Sequence, residues 1–202
     1  MANDLSLVIL SGGESSLMGV PKVELRLGGK LFIEHIHECL GSHFDETIIV
    51  GGAPRDIPAE LRQVPDLFPA RTPLVGIYSG LAAAQSSRCF VLACDMPMMS
   101  LNLVKLMAAH SPEADGTVPM IGGYLEPLCA FYHKRAAAAL HAALDLGVRK
   151  VTTGIERLNL VVIPEVLLRT VDPDLRSFTN VNSPEDLRSL VAARWPAISG
   201  RP

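Results

Sequence analysis

Several sets of residues in this 202-residue sequence are of types and spacings that could do chemistry. Leu10-Ser11-Gly12-Gly13 directly follows the apolar run Leu5 to Leu10, and the stretch continues through Met18-Gly19 to Lys22. Adjacent glycines let successive backbone N–H groups turn toward an anion, and Lys22 adds a mobile positive charge. The chemistry implied is that of a nucleotide phosphate site. The spacing is not a Walker A loop, because Gly13 stands six residues before Gly19 and Lys22 is followed by Val23. Nor is it G-x-G-x-x-G, because Gly12 and Gly13 are adjacent. Taken alone, the loop suits an ordinary glycine-rich strand-to-helix turn equally well.

Asp95 is the second candidate. The apolar run Cys89 to Cys94 reads as a buried strand that delivers Asp95 at its carboxyl end, just ahead of Met96-Pro97. In an open α/β sheet, ligands bind beyond the carboxyl ends of the strands, so Asp95 and the Gly12-Gly13 loop should face one crevice. A carboxylate beside a phosphate cradle needs a cation between them, which makes Asp95 a candidate Mg²⁺ ligand; the competing reading is a cap for the helix that follows. Asn180 and Asn182 alternate and could turn two amides to one polar ligand, or serve as turn residues. Arg149-Lys150 could meet a second anion or simply be solvated.

The elements that must position these residues follow from hydrophobic periodicity. Leu5 to Leu10 and Thr47 to Val50 read as buried strands around a helix over Leu31 to Phe44, which opens the chain as a βαβ unit. Pro54 to Pro73 reads as a connection with a short strand near Gln63 to Phe68, and Tyr78 to Gln85 as a helix. Ser100 to His110 is expected to be helical. Thr117 to Met120 and Pro127 to Tyr132 are expected to be strands about Gly122-Gly123. Lys134 to Leu146 reads as a helix, another opens at Arg149-Lys150, and Leu158 to Ile163 reads as a strand. Ser183, Pro184 and Asp186 spell the start of a last helix, with Ser183 as N-cap and Asp186 at the capping-box place.

Composition bounds the rest. A chain 49% hydrophobic and 19% charged can bury a full core, and its length fits a single domain. The formal net charge of −3 provides no global basic field for nucleic acid or a membrane surface. The N-terminus lacks a signal-like pattern, so the protein is expected to be cytoplasmic. Cys39, Cys89, Cys94 and Cys129 include no C-x-x-C pair and read as reduced thiols. His35, His37 and His43, placed in the first helix, lack an H-E-x-x-H order and read as surface or boundary residues.

Five stretches together resemble one family, the molybdenum cofactor guanylyltransferases. They are LSGG-x5-MG-x2-K at Leu10 to Lys22, TPLVGI at Thr72 to Ile77, CDMP at Cys94 to Pro97, EPLCAFYH at Glu126 to His133, and SFTNVNSPEDL at Ser177 to Leu187. The resemblance implies an α/β fold: a single Rossmann-like three-layer nucleotidyltransferase domain over 1–202 with a mostly parallel central sheet, of nucleotide-diphospho-sugar transferase type, ending in a tail over 196–202. It also implies Mg²⁺-dependent transfer of GMP from GTP to the terminal phosphate of molybdopterin. By position, Leu10, Ser11, Gly12 and Gly13 would contact GTP, Lys22 its triphosphate, Asp66 the nucleoside side, and Asp95 the Mg²⁺, with Lys22 and Asp95 as the catalytic pair. Asn180 and Asn182, with Arg149 and Lys150, would lie on the molybdopterin side. A molybdoenzyme or chaperone partner would receive the product; neither nucleic acid nor a membrane is implied.

The implied mechanism explains one absence, and the chain departs from the family's pattern at several positions. A phosphate monoester is already anionic near neutral pH, so its attack on an α-phosphorus requires no general base, and none is evident in the sequence. Leu17 stands where the family carries Arg, and loss of such a phosphate contact costs about 2 to 4 kcal/mol at the transition state. Thr72 also replaces a usual glycine, and Gly51-Gly52 stand near where many members have an asparagine. The alternatives are a transferase for another nucleotide or for another phosphorylated acceptor such as a sugar phosphate, and a nucleotide-binding accessory protein without turnover.

Overall fold

Leu5–Leu10 forms β1, the strand about which the fold is laid out. The computed structural model describes residues 4–12, 24–52, 57–110 and 113–192. Gly13, Leu17 and Lys22, and the tail expected over 196–202, lie outside the described residues.

A small antiparallel ribbon, β2 (Arg26–Leu27) and β3 (Lys30–Leu31), leads into helix α1 (Phe32–Leu40), and β4 (Glu46–Val50) and β5 (Arg62–Val64) follow. Next come α2 (Pro73–Ala83), β6 (Arg88–Ala93) and α3 (Leu101–Ala108). The hairpin β7 (Gly116–Ile121) and β8 (Tyr124–Leu125) precedes β9 (Cys129–His133) and α4 (Ala136–Asp145). The described chain closes with α5 (Val151–Ile155), β10 (Leu160–Pro164), α6 (Glu165–Leu168) and α7 (Pro184–Ala192). The main sheet runs β10-β7-β9-β6-β1-β4-β5, with β8 paired to β7. β1 is parallel to both β4 and β6, β5 to β4, and β10 to β7, whereas β9 is antiparallel to its two neighbours β6 and β7.

The nearly continuous apolar character of β1 follows from cover on both faces. Leu7 and Ile9 join a core with Ile33, Ile36 and Leu40 of α1 and Leu103, Val104 and Met107 of α3. Val8 and Leu10 face Leu74, Val75, Ile77 and Leu81 of α2 and Leu140 and Leu144 of α4. Each fully buried side chain of this kind contributes about 1.5–3 kcal/mol, so the three layers hold the strand ends firmly in place. A smaller cluster of Leu25, Leu27, Phe32, Val181 and Leu190 ties the C-terminal segment to the ribbon and α1.

Three of the boundaries that differ from expectation have a local cause. The strand expected over Gln63 to Phe68 stops at Val64, because Pro65 has no N–H to continue a ladder. The helix expected from Tyr78 begins at Pro73 instead, since Thr72 accepts a hydrogen bond from Val75 N (3.4 Å) and proline suits the first helical position. The first helix ends at Leu40, and Gly41–His43 is a 3-10 turn that places His43 off the helix and lets Phe44 stack on Phe90 at 6.2 Å.

Candidate active site

The ends of three parallel strands define the site. Leu10 pairs with Val50 on one side and Ala93 on the other, so the residues that follow each leave the sheet at one level. These are Ser11-Gly12, Gly51-Gly52 and Cys94-Asp95. Ser11 fastens the first two together: its N–H and its hydroxyl both donate to Val50 O (3.0 and 2.8 Å), and the hydroxyl also donates to Gly52 O. Gly51 has φ +94°, and a Cβ there would lie 3.1 Å from both Cα and N of Gly12. Only glycine permits that approach of two backbones. The structure thus makes Gly51 part of the site wall, a role that sequence reasoning missed; its one signal was a Gly-Gly pair at the end of a buried strand.

Asp66 comes up beside this wall. Its Oδ2 lies 3.8 Å from the Cβ positions of Gly12 and Gly51. Burial pushes its carboxyl above the ordinary aspartate value, and nearby Arg71 partly offsets this. The loop carrying it is pinned by Leu67 N donating to the buried Ser79 Oγ (2.9 Å) on α2. Gly76 of α2 brings the helix against Leu10, whose Cδ2 would be 3.1 Å from a Cβ there.

Asp95 is 8% exposed, and its Oδ1 is sealed from solvent. Cys94 N donates to Leu10 O (3.0 Å), which keeps Asp95 level with Ser11-Gly12. The helix-cap reading fails, because the next helix starts at Leu101 behind Ser100. A carboxylate of this kind fits a hard cation that takes one or two protein carboxylates and completes its shell with substrate phosphates. Among the described residues there is no group of three or more His, Cys, Asp or Glu that could hold a metal by itself.

The C-terminal segment is clipped onto the same corner. Val181 N donates to Asp95 O (2.9 Å), and Ser100 N donates to Ser177 Oγ (3.0 Å). Asp172 accepts from Arg176 N (3.1 Å) and Ser177 N (2.9 Å). Asn180 and Asn182 therefore flank a buried Val181 beside Asp95, in a loop ahead of α7. Just beyond, Asp186 N donates to Ser183 Oγ (3.1 Å) and Ser183 N to Asp186 Oδ2 (2.8 Å), forming the capping box.

The basic pair joins α4 to α5. Arg149 Nη1 donates to Leu144 O (3.2 Å) and Val148 O (2.9 Å), at the carbonyl end of α4. Lys150 is exposed ahead of α5, and α5 packs through Gly154 on Leu74 of α2. That is the α2 and α4 face of the sheet, whereas Val181 packs on the α1 side. The histidines have local partners, His35 Nε2 with Leu27 O (2.7 Å) and His37 Nδ1 with Thr47 Oγ1 (3.1 Å). All four cysteines are free, and burial pushes the Cys89 thiol up to about 12.

The chain as a whole has counterparts among known proteins. The model of the MobA-like NTP transferase domain matches residues 7–159. The chain belongs to this family. It is 34% identical over 189 residues to the molybdenum cofactor guanylyltransferase of Desulfosudis oleivorans, covering 92% of this chain and 94% of that one. It is 33% identical to that of Syntrophotalea carbinolica, with 90% and 88% covered. Among solved structures it resembles molybdopterin-guanine dinucleotide biosynthesis protein A from Archaeoglobus fulgidus (TM-score 0.77, 32% identity, 91% and 95% covered). The 2-C-methyl-D-erythritol 4-phosphate cytidylyltransferase of Thermus thermophilus shares the fold at 15% identity (TM-score 0.71, 96% and 98% covered). Among the described residues no helix is long and apolar enough to cross a membrane.

Proposed function

We propose that this NTP transferase moves GMP from GTP to the terminal phosphate of molybdopterin and releases pyrophosphate. The observation that carries the reading is the clip between Val181 N and Asp95 O, which seats Asn180 and Asn182 beside the strand-end corner of Leu10 to Gly12 and Asp95. Donor and acceptor substrates need such adjoining seats, and the names of the relatives supply the substrates.

In this reading Leu10, Ser11 and Gly12 present backbone groups to guanine and ribose, and Asp66 closes the nucleoside side against Gly12 and Gly51. An oxygen of the acceptor phosphate forms a bond to the α-phosphorus as the α–β bridging P–O bond breaks, its electron pair leaving with pyrophosphate. The acceptor oxygen is already anionic, so no protein base removes a proton. Gly13 and Lys22 of the loop after β1 hold the triphosphate and meet the leaving charge. Asp95 is the residue that would hold Mg²⁺, which when bound supplies neutralisation of phosphate oxygens. Asn180 and Asn182 orient the acceptor, and Lys150, on the opposite face, is left to longer-range attraction.

Calorimetric titration with GTP, ATP and CTP in the presence of Mg²⁺ tests the base-specific part. GTP is expected to bind at least tenfold more tightly than either, an order-of-magnitude figure for a site that hydrogen-bonds one base edge. Equal affinities would remove it.

A further inference from the structure

Glu126 opens the stretch between β8 and β9, and the reading above gives it no task. Its main chain is held on all sides. Its N–H donates to Pro119 O of β7 (2.9 Å), its carbonyl accepts from Cys129 N (3.1 Å), and Leu128 O accepts from Ala93 N (2.9 Å). The buried Tyr132 donates its hydroxyl to Pro127 O (2.9 Å). The segment is thereby fastened to the carboxyl end of β6, immediately before Cys94-Asp95. Cys129, whose thiol Glu126 helps push up, belongs to the core beneath α1 and α3, the side of the sheet on which Val181 packs, while Leu125 and Leu128 pack on the α2 and α4 side, so the segment spans the end of the sheet. Asp66 lies beyond β1 from it, against Gly12 and Gly51.

The Glu126 side chain is half-buried, and burial pushes its carboxyl above the ordinary glutamate value with no cation pulling it back. Among the described residues no donor or cation bonds it. A carboxylate held in a rigid frame, partly desolvated, with four acceptor positions unused, is matched by a ligand that presents two parallel N–H donors. A pterin ring has such an edge, formed by its 2-amino group and the adjoining ring N–H.

We infer that Glu126 reads the acceptor, its carboxylate taking the two parallel N–H donors of the pterin ring while the acceptor phosphate reaches the nucleotide. This rests on the reaction proposed above and adds to it the residue that selects the ring. Two carboxylates then divide the work, Asp66 on the nucleoside side and Glu126 on the pterin side, for two rings that share an aminopyrimidinone edge.

The test uses the full-length protein and two soluble probes, neopterin and its lumazine counterpart, in which an oxo group replaces the 2-amino group. Fluorescence titration of the wild type is expected to favour the pterin by about tenfold or more, the scale of a hydrogen bond to a charged group. Glu126→Gln, nearly isosteric, abolishes that preference while its GTP affinity stays unchanged and its thermal melt is no lower than that of the wild type. Glu126→Asp keeps the charge, shortens the reach and retains part of the preference, which provides a reading if the Gln variant melts early. In turnover, Glu126→Gln raises the KM for molybdopterin and leaves the KM for GTP and the Mg²⁺ requirement alone. Failure of the wild type to bind neopterin, equal binding of the two probes, or a change confined to the Mg²⁺ requirement would each overturn the assignment. A wild type that shows the Glu126-dependent preference but forms no dinucleotide would refute the proposed reaction while sustaining the assignment; turnover with an unchanged acceptor KM in Glu126→Gln would do the reverse.

Discussion

At the scale of single residues, Asp66 is a site carboxylate that the fold does not favour as an anion. Asp66 has a folded-state value above its ordinary 3.8, chiefly through burial. The charged form is thus disfavoured by folding, so the cost is absent at pH below the unfolded value and grows as pH rises through it. Asp66→Asn is therefore expected to raise the melting temperature at neutral pH without nucleotide, the gain vanishing below about pH 3.8, while GTP binding weakens. Thermal melts of both proteins across pH check this; a gain over the wild type no larger at pH 7 than at pH 3 would contradict it. Asp95 was legible in the sequence because a buried run led straight to it and a proline turn followed. Gly51 was not, because its need for a positive φ arises from the backbone of Gly12 on the neighbouring strand, a contact that register alone creates.

At the scale of elements, the site depends on how closely α2 lies on β1. A Cβ on Gly80 would sit 2.4 Å from Val8 Cγ1, and one on Gly76 would sit 3.1 Å from Leu10 Cδ2. Val8 is fully buried and β-branched in a central strand, so it cannot turn away, whereas the Leu10 side chain can give by a few tenths of an ångström. Gly80→Ala should cost about 1–3 kcal/mol in overpacking, more than the roughly 1 kcal/mol that alanine gains in a helix. Gly76→Ala should stay near neutral in stability and shift the Leu10 wall. Denaturant unfolding of the two variants separates them, and equal midpoints would show that α2 is not held this tightly. The opening βαβ unit, the hairpin at Gly122-Gly123 and the capping box of α7 could be read from local patterns. The start of α2 was misplaced because Gly76 and Gly80 mask its helical periodicity; they are there for packing.

At the scale of the whole molecule, the parallel character of the sheet was legible, because strands buried on both faces read as unbroken apolar runs. The antiparallel insertion of β9 between β6 and β7 was not, since strand order is settled by contacts between residues far apart in sequence. The same holds for Arg149 and Lys150, whose place on the α2 and α4 side of the sheet no local signal announces. What remains is the reaction itself. The decisive measurement incubates the purified protein with molybdopterin, Mg²⁺ and GTP, ATP or CTP in turn, and reads pyrophosphate release together with the mass of the product. The expectation is guanine dinucleotide and equimolar pyrophosphate from GTP, little from the other two, and loss of both with a folded Asp95→Asn variant. A folded protein that binds GTP yet forms no dinucleotide, or that forms the cytidine product in preference, would contradict it.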